Sequence, residues 1–268
     1  MLHEADDFLA ECDALAEVLA RLSPAAWARP TLFKKWTAND VMVHLHCWNK
    51  AADLSLTDDA AFVAFYEEMA ADVKTKGRRA AENARVTARG RELLALWHNY
   101  ASDMAARWRT MDPKKRVKWA GPDMSVRSSM TARQMETWAH GLAVFDLLGV
   151  ARAETDRLRN IVVLGVNTYP WTFKVRGLTP PDPMPRLTLT APSGALWSFG
   201  PEDAGATING SALDFCYVVT QTRNHGDTAL RINGPAAEQW MTQAQCFAGS
   251  PETPPAKGAR RRAVTHNS

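Results

Sequence analysis

Glu136 and His140 stand four residues apart in the stretch Met135-Glu136-Thr137-Trp138-Ala139-His140-Gly141. On a helix that spacing stacks both side chains on one face. A carboxylate and an imidazole turned inward cost free energy unless each is paired or bound to a cation. With one more nitrogen or oxygen donor they make the three-ligand set of an open, catalytic divalent-metal site. The flanks predict helix. Thr131 and Gln134 have capping-box spacing, apolar residues recur at helical period, and Gly149 stands where a C-terminal stop belongs. Ala132, Ala139 and Ala143 share roughly that side and leave room between helices. Taken alone, the Glu/His pair is equally at home on an exposed helix face.

An earlier segment offers the third donor. Thr37 and Asp40 predict a second capping box, opening a helix with Val41, Leu45 and Trp48 on its apolar stripe. His44 lies near that stripe. His46 lies about 200° further round, beside Met42, Asn49 and Asp53, so the pattern turns His44 inward and places His46 on the surface. By itself His44 reads most simply as a core histidine hydrogen-bonded to a neighbour. Joined to Glu136 and His140 it completes a metal-ligand set.

The surrounding elements decide whether these residues can meet. Phe8, Cys12, Leu15, Leu19 and Leu22 mark an amphipathic helix over 4–22, followed by a connection over 24–36 rich in Trp and Pro. A helix over 57–73 is expected to start from Thr57. A long one over about 82–110 has Leu93, Leu94, Trp97, Tyr100, Met104 and Trp108 as its buried side, with His98 beside them in a structural role. Residues 111–130 read as a loop. Four main helices with an inward His, Glu and His predict a bundle over 1–150 with a metal site in its core.

After Gly149 the texture changes. A helix over 155–167 precedes a Pro- and Gly-rich stretch. Arg186–Thr190 and 195–199 alternate like a half-buried hairpin, and 206–208 is a third strand. Ser211 with Asp214 caps a helix to about Gln221. Leu230–Ile232 reads as strand, Asn233-Gly234 as turn, and Pro235 opens a last helix to about Cys246. The prediction is a separate α+β domain over 151–249. Residues 250–268, Pro-rich and then basic, are expected to be a disordered tail.

Composition narrows the function classes. Of 268 residues, 46% are hydrophobic and 23% charged, which is ordinary for a globular chain. The net charge of +3 is matched by the surplus of Lys257, Arg260, Arg261 and Arg262 over Glu252, so the body is neutral and has no basic face for nucleic acid. No stretch reaches transmembrane length, and the acidic start lacks a signal peptide's features. Cys12, Cys47, Cys216 and Cys246 show no paired spacing, which suits a reducing compartment. A cytoplasmic protein is expected.

The run Trp36-Thr37-x-x-Asp40-Val41-x-x-His44-Leu45, with Glu136-x-x-x-His140, resembles the DinB-like metal-binding bundle. More closely it resembles the mycothiol-dependent maleylpyruvate isomerase family. The resemblance implies that His44, Glu136 and His140 hold a divalent metal, usually zinc. Gly210-x-Ala212-x-Asp214-Phe215, and then Arg223, is similar to that family's sterol-carrier-like C-terminal domain. The implied fold is α + α/β: a DinB-like four-helix bundle followed by a smaller α+β domain. Arg223 then corresponds to an arginine that reaches the active site and binds a substrate carboxylate. In the family pattern an Asp often stands three residues after the second metal histidine; here Ala143 stands there, with Asp146 a nearby substitute. The implied chemistry is addition of a low-molecular-weight thiol such as mycothiol to an activated double bond, rotation and departure, on a small carboxylated substrate. The chain shows no obvious protein nucleophile, which fits. Two other classes stay open: a metal-bearing protein that binds a small ligand without turnover, and an apolar carrier built on the second domain.

Overall fold

The computed structural model describes residues 1–260 and divides the chain into two compact units, Met1–Leu148 and the residues from Gly149 onward. The first unit runs α1 (Glu4–Ala20), a 3-10 turn (Pro24–Ala28), α2 (Ala38–Thr57), α3 (Asp59–Lys76), α4 (Arg78–Asn83) and α5 (Gly90–Arg109). A two-stranded hairpin of β1 (Arg116–Val117) and β2 (Met124–Ser125) then leads into α6 (Val126–Leu148). α1 and α2 each pack against both α5 and α6, which makes a four-helix bundle, and α3 and α4 pack on α2. Phe8, Leu15, Leu45, Trp97, Trp108, Met130 and Trp138 are fully buried between these helices. At roughly 1.5–3 kcal/mol for each large apolar side chain removed from water, this burial is what holds the bundle.

Helix α2 begins where the sequence pattern places it. Thr37 Oγ1 accepts from the Asp40 amide at 3.1 Å, and Asp40 Oδ2 accepts from the Thr37 amide at 2.9 Å. The pattern misjudges how much of α2 is covered. Helices pack on it from several sides, so Met42, Val43, His46 and Asn49 are buried along with Val41, His44 and Leu45. His46, expected on the surface, is 4% exposed. A helix with neighbours on several sides keeps too narrow a solvent face for a polar stripe to mark.

Three further boundaries differ. α3 is capped by Asp58, whose carboxylate accepts from the Ala61 amide, and not by Thr57. The helix expected over 82–110 is broken into α4 and α5: Arg89 is extended and Gly90 has φ +58°, a left-handed conformation that suits glycine. The Gly90 amide donates to Asn39 Oδ1 at 2.8 Å, which ties the break to the start of α2. α6 starts ahead of the expected cap, after Ser125, whose Oγ accepts from the Ser128 amide at 3.1 Å. Thr131 and Gln134 are therefore buried inside α6. Further along, a Cβ at Gly141 would stand 3.2 Å from Leu15 Cδ2, so glycine lets α1 approach α6 beside His140.

The second unit contains α7 (Leu158–Asn167), α8 (Tyr169–Lys174), β3 (Arg186–Thr190), β4 (Leu196–Phe199), β5 (Thr207–Ser211), α9 (Ala212–Val219), β6 (Arg231–Asn233) and α10 (Pro235–Met241). The sheet order is β4-β3-β5-β6. β3 pairs antiparallel with β4 and parallel with β5, with Leu189 opposite Trp197 on one side and Gly210 on the other. Leu187 and Leu189, both fully buried, supply the inward half of the expected alternation. Ser211 caps α9 by accepting from the Asp214 amide at 3.0 Å, and α9 packs on α7. The chain is a helical bundle followed by a mixed α+β unit.

Residues 251–260, expected as part of a disordered tail, are held against the second unit. The Glu252 amide donates to Gln245 Oε1 at 2.9 Å, and the Glu252 carbonyl accepts from Arg176 and Gln221. Asn224 Nδ2 donates to the Pro255 carbonyl at 2.8 Å, the Gly258 amide to Asp227, and Arg260 Nη1 to the Gln221 carbonyl at 2.7 Å. Composition predicts disorder because the segment has little apolar area to bury. It is ordered instead by hydrogen bonds to Gln221 and Gln245, which are 4% and 1% exposed. The rest of the expected tail lies outside the described residues. Deleting 251–268 removes one partner from each of two buried amides, which keep others within the unit (Ala244 for Gln221, Arg176 for Gln245), at a cost of about 0.5–1.5 kcal/mol each. We expect the melting temperature to fall by about 5 °C or more for a unit of this size. Thermal unfolding of full-length and truncated protein, followed by circular dichroism, checks this; equal melting temperatures would show that the docked segment contributes nothing.

Candidate metal centre

Two elements bring the three predicted ligands together. α2 carries His44, and α6 carries Glu136 and His140 one turn apart. One donor atom from each lies within 4.8 Å of the other two, a group that could hold a metal ion. His44 Nε2 is 3.3 Å and His140 Nε2 3.0 Å from Glu136 Oε2. The two imidazole centroids are 4.5 Å apart. Side-chain exposures of 9% for His44, 17% for Glu136 and 16% for His140 leave the cluster enclosed but reachable.

Aromatic rings fix the histidines. Trp36 stacks on His140 at 5.7 Å with an interplanar angle of 7°, and Phe33 meets the same imidazole edge-on at 5.0 Å. Trp36 also meets His44 edge-on. The turn that presents these rings places Lys34 and Lys35 at φ +46° and +59°. Left-handed backbone at two consecutive non-glycine residues costs free energy that the surrounding structure must offset. Hydrogen bonds from the Thr31 amide to the Trp36 carbonyl and from the Trp36 amide to the Phe33 carbonyl, both 2.8 Å, close the turn.

A fourth residue completes the arrangement. Glu82 on α4 is 1% exposed, and its Oε1 lies 2.9 Å from His44 Nδ1 and accepts from Trp48 Nε1 at 2.8 Å. A carboxylate behind a histidine fixes the ring's orientation and raises the basicity of the nitrogen that faces the metal. The break between α4 and α5 lets a short helix deliver this carboxylate. β-branched Val86-Thr87 just before Gly90 was the available sequence signal for it. Asn83 Nδ2 donates to Asp40 Oδ1 at 3.0 Å and so anchors α4 to the start of α2.

The charges are strongly coupled. Burial pushes His44 down, but Glu82 and Glu136 outweigh it and lift the imidazole to about 9. Burial pushes Glu136 up, yet hydrogen bonds from His140 and His44, with the charge of Arg133, hold it well below the usual carboxylate range. Burial and the neighbouring His44 lower His140.

Other predicted residues lie elsewhere. His46 packs edge-on against Tyr100 at 5.3 Å, and burial with Lys50 nearby lowers it to about 4, so it is a neutral core imidazole. His98 pairs with Asp13 at 2.7 Å, linking α5 to α1. Arg223 belongs to the second unit, just after α9; its guanidinium lies over Tyr217 at 5.3 Å and Nη1 donates to the Thr222 carbonyl at 3.0 Å. All four cysteines are buried free thiols. Among the described residues no helix is long and apolar enough to cross a membrane.

Two curated relatives are the uncharacterized proteins MT0041 and Rv0036c of Mycobacterium tuberculosis strains CDC 1551 / Oshkosh and ATCC 25618 / H37Rv. Each is 39% identical over 245 residues, 91% of this chain and 95% of the relative. Crystal structures of the mycothiol-dependent maleylpyruvate isomerase and of its histidine-to-alanine mutant share the fold, with TM-scores of 0.55 and 0.53 at 15% and 14% identity. Both alignments cover 87% of this chain and 94% of the other. Residues 8–145, which span the bundle and all four polar residues of the cluster, match the model of the mycothiol maleylpyruvate isomerase N-terminal domain. By that match this chain belongs to the mycothiol maleylpyruvate isomerase family.

Proposed function

We propose that this protein is a divalent-metal-dependent enzyme that uses a low-molecular-weight thiol such as mycothiol to isomerise, or transfer the thiol to, a small carboxylated substrate. The observation that carries this reading is the convergence of His44 Nε2, Glu136 Oε2 and His140 Nε2 in a chain of this family. Two imidazole nitrogens and one carboxylate oxygen are a donor set that suits zinc and leaves a position open. A cation held there would supply Lewis acidity, lowering the pKa of a thiol or polarising a substrate oxygen. Glu82 holds His44 with Nε2 turned to the cluster, and Phe33 and Trp36 limit water around His140. Arg223 is proposed to hold a substrate carboxylate. Its contacts with Tyr217 and Thr222 restrain the guanidinium, whose planar fork makes lysine a poor substitute.

Metal analysis tests the first half of the reading. His44→Ala is expected to abolish zinc retention, while His46→Ala keeps zinc and loses only stability. Glu82→Gln should weaken zinc binding about 10- to 100-fold, the usual effect of removing a ligand's hydrogen-bond partner. Equal zinc loss in the two histidine variants would overturn the choice of ligands. For turnover, zinc-loaded wild type is incubated with maleylpyruvate with and without mycothiol, and the cis-to-trans change is followed by absorbance. Thiol binding without turnover would favour a non-catalytic ligand-binding protein.

Arg223 has its own test. Arg223→Lys should keep zinc and fold but lose about 1.5–3 kcal/mol of affinity for a short dicarboxylate, as expected for a hydrogen bond to a charged group. Calorimetric titration of maleate into both proteins measures it. Matching affinities would confine Arg223 to a structural role.

A further inference from the structure

Arg133 lies on α6 one turn before Glu136 and is 3% exposed. Arginine is rarely buried so completely without a paired acid. Its guanidinium sits over the indole of Trp119, with Cζ 5.1 Å from the ring centroid. Stacking occupies a face of the guanidinium and leaves its N–H edges to find acceptors. Nε and Nη1 are both buried and have no hydrogen-bond partner among the described residues. Burial lowers its pKa, against the charge of Glu136, but a guanidinium remains protonated at neutral pH. A residue kept only to neutralise Glu136 would turn an N–H edge to that carboxylate. Neither Nε nor Nη1 does so, while Glu136 Oε2 faces His44 and His140.

The stack connects Arg133 to the ligand cluster. Trp119, in the connection between β1 and β2, stacks on Phe62 at 5.8 Å and meets Trp48 edge-on at 5.9 Å. Trp48 Nε1 in turn donates to Glu82, the carboxylate behind His44. One aromatic wall thus runs from the unpartnered guanidinium to the groups that position the proposed metal ligands.

We infer that Arg133 is an anion-recognition residue of this site, accepting a substrate carboxylate on the N–H edges that the protein leaves unused. The inference rests on the proposed metal-dependent reading and deepens it: Arg133 makes recognition of a substrate carboxylate a property of the bundle itself. A carboxylate fits because it is small, planar and able to engage two N–H groups at once.

The test compares zinc-loaded wild type, Arg133→Met and Arg133→Lys, titrated by calorimetry with maleate and separately with 2-mercaptoethanol. Arg133→Met should weaken maleate at least tenfold and leave 2-mercaptoethanol within twofold, with unchanged zinc content. Arg133→Lys should retain part of the maleate affinity. Thermal unfolding gives a readout that does not depend on the thiol. Removing a buried charge without an acceptor should leave the melting temperature of ligand-free protein unchanged or higher, and should abolish the rise that maleate produces in wild type. Unchanged maleate affinity in Arg133→Met, equal weakening of both ligands, or a wild type that does not bind maleate would each overturn the inference. A lower melting temperature of the ligand-free variant would do so too, because it would assign Arg133 to structural support of Glu136. Should Arg133→Met fail to fold, Arg133→Gln replaces it. Absence of zinc or thiol binding in wild type would count against the proposed function instead, and the maleate titration would still decide the role of Arg133.

Discussion

The bundle is built around one imidazole held between two carboxylates. His44 Nδ1 faces Glu82 at 2.9 Å and its Nε2 faces Glu136 at 3.3 Å, inside a core of tryptophan, leucine and methionine. Charges in such surroundings are tolerated only when every edge has a partner. That requirement fixes the positions of three helices at once. α2 must present His44, α6 must present Glu136 and His140 at the same level, and α4 must end early enough to bring Glu82 behind the ring. The break at Arg89-Gly90, the anchor of Asn83 to Asp40 and the hydrogen bond from Gly90 to Asn39 serve that placement. The cap of α2 at Thr37 and Asp40 also belongs to the site, because it sets the level at which His44 enters the bundle.

What could be read from the sequence was what depends on short-range pattern. Thr37 and Asp40 are three residues apart, and their box is found in place. Arg186–Thr190 alternates, and forms a strand with those limits. Glu136 and His140 share a face because a helix demands it, and His44 followed from the apolar stripe of α2. Glu82 was not legible: its contact with His44 spans 38 positions, and it lies in what patterned as the opening of one long helix. His46 was misplaced for a related reason. Periodicity reports one buried face, whereas α2 has neighbours on several sides, and burial on the second side is a tertiary fact.

The segment after Ser250 shows a second limit of composition. Low apolar content says that a segment cannot order itself by hydrophobic burial. It does not say that nothing else can order it. Gln221 and Gln245 are buried amides; the Ala244 carbonyl meets part of the need of Gln221, and the backbone of Glu252 adds an acceptor for Gln221 and a donor to Gln245. The hydrogen-bonding needs of the folded unit, which composition does not record, decide the matter here.

α6 is the element on which the structural and chemical demands meet. Its glycine at 141 admits Leu15 of α1, and two successive turns of the same helix carry Arg133, Glu136, Thr137 and His140. Thr137 turns its hydroxyl to the Arg133 carbonyl at 2.9 Å and so makes no demand on the cluster. The remaining three divide by charge: an acid and an imidazole are matched by His44, while the guanidinium has an aromatic face for company and no acceptor at Nε or Nη1. A buried guanidinium with unmet N–H groups costs free energy that an apolar side chain of similar volume would not, even with the charge of Glu136 one turn away. The unmet N–H groups at Nε and Nη1, one turn from Glu136, are what the proposed recognition of an outside carboxylate would satisfy.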